Sequence, residues 1–119
     1  MTHLLHITER TNWESALRTG WYRTSTRGVS LDEQGFIHCS LPHQLRTVAE
    51  YIYGDADDLV VLVIDSERLD VPVAYEAGEP DAEPGAEKYP HIYGAVPTSA
   101  VSEVVPVGRN DDGRMLLPE

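Results

Sequence analysis

Short apolar runs alternate along the chain with polar breaks marked by glycine, and their spacing predicts a mixed order of strands and helices. Residues 4–8 carry β-branched side chains and predict a first strand, with Leu4, His6 and Thr8 on one face and Leu5 and Ile7 on the other. In 11–19, Trp13, Ala16 and Leu17 recur at helical spacing. Thr8 or Thr11 is the capping candidate, and Gly20 stands where a left-handed C-terminal residue belongs. Residues 21–34 have no clear period and read as an irregular connection with one extended piece at Trp21-Tyr22-Arg23; loops of that length tend to be functional.

Residues 35–40 have the composition of a buried strand and run directly into a second helix start at Ser40, with Pro42 near the first turn. Leu45, Val48, Ala49 and Ile52 then recur at i, i+3, i+4 and i+7, and Gly54 follows as the stop. Residues 59–64 are six consecutive apolar residues, which predicts a central strand buried on both faces and ended by Asp65. A strand at 73–76 precedes an acidic segment, 77–88, whose Gly and Pro predict a mobile surface loop. Late strands are predicted at 92–96 and 101–107, then a polar turn at 109–113 before Met115-Leu116-Leu117. The expected class is α+β, with two helices near the N-terminus followed mostly by strands.

At 119 residues the chain is expected to be a single domain, 1–119. Charge changes the picture of its partners. With 20 Asp+Glu against 9 Lys+Arg the net charge is -11, which repels phosphate backbones and argues against duplex nucleic acid. Arg18, Arg23 and Arg27 form the one basic cluster, enough to hold a single diphosphate. No apolar run approaches membrane-spanning length, so a cytoplasmic protein without membrane contact is expected. The lone Cys39 excludes an internal disulfide and reads as a buried, inert thiol.

The candidate chemistry lies in the histidines. His6, His38 and His91 fall in or beside strands, and imidazole exchanges protons near neutral pH. His38 shares a strand face with Phe36 and Ser40, so it and His6 line one cleft if their strands are neighbours. No H-E-x-x-H helix or i, i+4 histidine pair supports a metal, and none is expected. Of the carboxylates, Asp65 and Glu76 are flanked by apolar strand residues. Asp65 reads as a cap, and Glu76 as able to accept a ribose hydroxyl or stabilise a cationic centre.

Several strings occur in a specific order: Leu5-His6-Ile7-Thr8, Trp13 with Ala16, Gly20 with Tyr22, Ser30-Leu31, Gly35-Phe36-Ile37-His38-Cys39-Ser40 with Gln44, Tyr75-Glu76, and Pro90-His91-Ile92-Tyr93-Gly94 with Ala100-Val101. On these the chain closely resembles the bacterial domain-of-unknown-function family 952 over essentially its whole length. The resemblance implies a fold of the ADP-ribosyltransferase type, with the two N-terminal helices packed on small bent mixed or antiparallel sheets around a cleft that holds NAD as substrate or ligand. By that resemblance His6 orients the ribose, Ser30 or one of Thr24, Ser25 and Thr26 supports the nicotinamide, and Glu76 supplies the late carboxylate. His38 or His91 exchanges a proton, and Thr8, Ser30, Ser40, Gln44, Tyr93 and Gly94 hold the ligand. The expected function is therefore binding of NAD or a related nucleotide, with glycosidic-bond chemistry. The alternative is a non-catalytic module for a small polar metabolite or a peptide.

Overall fold

A computed structural model describes residues 3–78 and 86–118. In chain order the elements are β1 (His3–Glu9), α1 (Arg10–Thr19), β2 (Trp21–Tyr22), β3 (Thr24–Thr26), β4 (Val29–Ser30), α2 (Leu31–Gln34), β5 (Ile37–His38), α3 (Leu45–Tyr53) and β6 (Leu59–Asp65). There follow β7 (Val73–Ala77), β8 (Lys88–Ile92), β9 (Val96–Pro97), β10 (Val101–Pro106), β11 (Gly108–Arg109) and β12 (Met115–Leu116), with single 3-10 turns after β6 and β9.

The apolar run at 59–64 becomes the middle strand of an antiparallel sheet ordered β1-β6-β10. Its two faces feed two cores, because successive side chains point to opposite sides. Val60, Leu62 and Ile64 join Leu4, Ala16, Tyr22, Ile37, Cys39 and Ile92 in one cluster. Leu59 and Val61 join Leu5, Ile7, Leu45, Ala49 and Tyr53 in the other, so α3 packs on that face. A second antiparallel sheet is ordered β5-β8-β7. The chain leaving β5 joins the two sheets, since Leu5 and Ser40 exchange backbone hydrogen bonds of 2.8 and 2.7 Å.

The expected arrangement of two N-terminal helices on small sheets, with an ADP-ribosyltransferase-like fold, is corrected by this architecture. Strands make up 42% of the described residues and helices 27%, and the three α-helices are spread between strands. The second helix does not start at Ser40, because that residue is held extended against Leu5; α3 begins at Leu45. Gln44 stitches the intervening turn, its Oε1 accepting from Leu41 N at 2.9 Å and its Nε2 donating to Lys88 O at 2.7 Å. The unpatterned stretch 21–34 contains α2, a helix made by a capping box. Ser30 Oγ accepts from Glu33 N at 3.2 Å, and Ser30 N donates to Glu33 Oε1 at 3.0 Å. Replacing Ser30 with Ala removes the acceptor for an orphan N–H and is expected to cost about 0.5–2 kcal/mol, read as a lowered midpoint in urea denaturation.

Helix α1 starts at Arg10 without a side-chain cap, and Thr8 Oγ1 instead accepts from Asn12 Nδ2 at 3.2 Å. Gly20 closes α1 as expected, with φ 86° and its N–H on Ala16 O at 2.8 Å. The predicted loop at 77–88 is shorter than expected, since β7 runs through Ala77 and β8 opens at Lys88; its middle, 79–85, lies outside the described residues. The strand predicted at 92–96 is displaced into β8 and β9. Asp65 caps the turn after β6 by accepting from Glu67 N at 3.0 Å. Among the described residues no helix is long and apolar enough to cross a membrane.

Candidate functional site

Register decides which side chains meet. His38 stands opposite His91 across β5 and β8, and His91 stands opposite Ala74 across β8 and β7. By alternation Phe36, His38, Tyr89, His91, Tyr93 and Glu76 share one face of this sheet, with Ile37, Cys39 and Ile92 in the core behind it. The rings form a connected surface. Phe36 stacks on His91 with centroids 4.0 Å apart and planes 12° apart, the His38 and His91 rings are 5.2 Å apart, and Tyr89 lies 5.3 Å from His38.

Glu76 is the anionic centre of this face. His91 Nδ1 lies 3.0 Å from its Oε1, and the Tyr93 hydroxyl donates to the same oxygen. An ionised carboxylate only accepts, so Nδ1 carries a proton directed at Glu76. His91 Nε2 is buried without a hydrogen-bond partner among the described residues. Hydrogen bonds from Tyr93 and then His91 hold the Glu76 carboxyl below the usual glutamate range, and the same contact raises the Tyr93 phenol. Both bonds fall on Oε1, so among the described residues Oε2 has no hydrogen-bond partner, and the Glu76 side chain keeps 44% of its surface exposed.

Two cavities open on this face. One, of about 310 Å³, is lined by Gln34, Phe36, Glu76, His91 and Tyr93, with Ala77 and Gly78. The other, of about 330 Å³, lies between His38 and Tyr89 on the sheet side and Val48, Tyr51 and Ile52 of α3. Among the described residues neither is lined by Lys or Arg. Burial, with the neighbouring His91 ring a lesser cause, pushes His38 down to about 4, so it is an uncharged ring at neutral pH.

The three histidines expected to converge do so only in part. His38 and His91 meet, but His6 does not join them, because the Leu5–Ser40 pairing puts Leu5 on the His38 face and turns His6 to the opposite side. There His6 is 2% exposed, its Nδ1 donating to His38 O at 2.7 Å and its Nε2 accepting from the Tyr22 hydroxyl at 2.6 Å. Burial lowers it to about 4. Its place is under the backbone of His38. Thr8 and Ser40 are buried as well, Ser30 caps α2, and Gln44 is spent on the two backbone bonds described above.

Gly94 adjoins the site at Tyr93, but what approaches it is the chain itself: a Cβ there would lie 2.5 Å from Val71 Cγ1. Cys39 is buried, and burial pushes its thiol well up. Arg23 is paired with Asp32 at 3.3 Å and Arg27 with Asp55 at 2.7 Å, so neither is held ready for a diphosphate. Among the described residues no group of three or more His, Cys, Asp or Glu is placed to hold a metal ion. Tyr89, Gln34 and the α3 residues are the lining groups that sequence reasoning missed. The signal for Tyr89 is the period-two series Tyr89, His91, Tyr93.

The structure resembles that of protein CC0527 from Caulobacter crescentus in its crystal form, with a TM-score of 0.78 at 24% identity over 97% of this chain and 94% of that one. Its solution structure gives a TM-score of 0.70 at 26% identity over 96% and 91%. Neither structure of CC0527 is described as an ADP-ribosyltransferase, so the expectation of that fold gives way to a fold shared with CC0527. Among curated proteins none matches. The model of the protein family of unknown function DUF952 matches residues 7–104, and the chain belongs to that family.

Proposed function

We propose that this protein binds a small polar ligand through the Glu76 face, and that the ligand presents a hydrogen-bond donor, neutral or cationic, to Glu76 Oε2. The observation that carries the reading is the two-sided clamp on Oε1 by His91 and Tyr93, which fixes one carboxylate oxygen and leaves the other without a hydrogen bond among the described residues, beside a cavity. An acceptor held in place loses little freedom when a donor arrives. The flanking rings of Phe36 and Tyr93 offer flat surfaces to a planar or cationic group. With the Glu76–His91 pair at hand, the chemistry within reach is transfer of a proton.

The charge pattern ranks the ligands. A diphosphate such as that of NAD would meet Glu76 and no Lys or Arg among the described lining residues, in a protein of net charge -11. A nucleotide is therefore the weaker reading, and a small amine or hydroxyl compound the stronger. Backbone amide shifts of the labelled protein, recorded during additions of ethylamine and separately of NAD, test this. Ethylamine is expected to move the resonances around Glu76, His91 and Tyr93 saturably. Glu76→Gln is expected to weaken it by about tenfold or more, the scale for losing one charge-assisted hydrogen bond. Saturable binding of NAD at these resonances, with ethylamine inert, would overturn the proposal in favour of the nucleotide.

A further inference from the structure

We infer that the two cavities on the Glu76 face form one bipartite site, and that its ligand is amphiphilic: a donor-bearing or cationic head at Glu76 joined to a flat apolar body lodged against α3. The inference rests on the proposed binding role of Glu76 and extends it to the second cavity.

Three observations bring the halves together. Gly78 lines both cavities. His38, in the wall of one, and His91, in the wall of the other, stand opposite each other in register with rings 5.2 Å apart, so both cavities lie on the same side of the same sheet. Their linings differ in emphasis. Glu76, Gln34 and Tyr93 supply hydrogen-bonding groups on one side, whereas on the other Val48, Ile52, Tyr51 and Tyr89, beside Thr47 and Glu87, add a larger aliphatic and aromatic surface.

Each cavity alone is at the small end of ligand sites, about 300–1,000 Å³, and the division into a few polar groups and a larger apolar wall is the usual composition of such a site. The aromatic component is specific. His38 presents an uncharged ring between the two halves, with Tyr89 beside it. Across the cavity Tyr51 leaves α3 with 84% of its surface exposed. A planar body between these rings buries apolar surface that is otherwise wet. Glu87, the acidic residue of the second cavity, is bonded to His43 Nε2 at 2.8 Å, so Glu76 is the carboxylate left to take the head.

Tryptamine is a suitable probe, with ethylamine and indole as its halves, each titrated into the full-length labelled protein. Tryptamine is expected to shift amides around both Glu76–Tyr93 and Val48–Ile52, and to bind at least about tenfold more tightly than either half, as linkage of two sites predicts. Glu76→Gln should reduce tryptamine to the affinity of indole. Thr47→Trp, at an exposed position on the cavity wall, should remove tryptamine's advantage over ethylamine, with amide dispersion reporting that the variant is folded. If tryptamine gains nothing over ethylamine, or moves only one cluster, while ethylamine binding still depends on Glu76, the bipartite site is wrong and the Glu76 reading stands. If neither amine moves the Glu76 cluster, the Glu76 reading falls and the inference with it.

Discussion

Between pH 7 and pH 4.5 the protein is expected to lose about 2–3 kcal/mol of stability through His6 alone. Burial lowers His6 from 6.5 to about 4 in the folded state, so across that window the unfolded chain binds a proton that the folded chain refuses. The stability is fully present above 6.5 and falls as the pH drops towards 4. His38, lowered to about 4 by burial and by His91, acts in the same direction. Glu76, Glu50, Asp55 and Asp58 are all held below their ordinary values by hydrogen-bonding partners, and they withdraw their contributions as the pH falls further. Urea denaturation of the wild type and of His6→Gln at both pH values tests the assignment. The variant is expected to be less stable at pH 7 but to lose less on acidification. Equal losses in the two proteins would remove His6 as the cause.

Gly94→Ala is expected to destabilise the fold by about 1–3 kcal/mol, the cost of forcing an extra methyl group into filled space. Backbone conformation is not the reason, since among the described residues the positive-φ glycines are Gly20, Gly28, Gly35 and Gly113. The added Cβ would lie 2.5 Å from Val71 Cγ1 and 2.9 Å from Val71 Cβ, both too short for atoms that are part of a stiff, β-branched side chain. The double variant Val71→Ala with Gly94→Ala should therefore be more stable than the sum of the single changes allows. Thermal unfolding of the four proteins measures the coupling, and strict additivity would assign the need for glycine to something other than Val71.

The parts of this fold legible in the sequence are those governed by short-range pattern. The run at 59–64 reads as a buried central strand because both of its faces are apolar, and α3 reads as a helix because its apolar positions keep the 3.6 period. What was hidden depends on pairing between distant segments. That His38 and His91 converge while His6 does not follows from the register of Leu5 with Ser40, which no local spacing encodes. Strand β8 opens at Lys88, ahead of the predicted 92–96, and includes Pro90, which has no N–H to give a ladder. In the structure it occupies the middle strand, where its carbonyl accepts from Cys39 N at 2.9 Å. Glu76 was singled out as a carboxylate at a strand end, but its clamp by His91 and Tyr93 is a product of the β7–β8 pairing. The helix α2 escaped because four residues are too few to show a period, although Ser30 and Glu33 at i, i+3 are a capping box in the sequence itself.

The side-chain carboxyl carbon of Glu76, followed by NMR at pH 7 as ethylamine is added, tests the central claim most directly. A donor that reaches Oε2 is predicted to give a saturable shift of that one resonance, abolished when the Tyr93→Phe and His91→Ala changes together release the carboxylate from its clamp. A carboxyl resonance that stays fixed while ethylamine or NAD binds elsewhere on the protein would contradict the account.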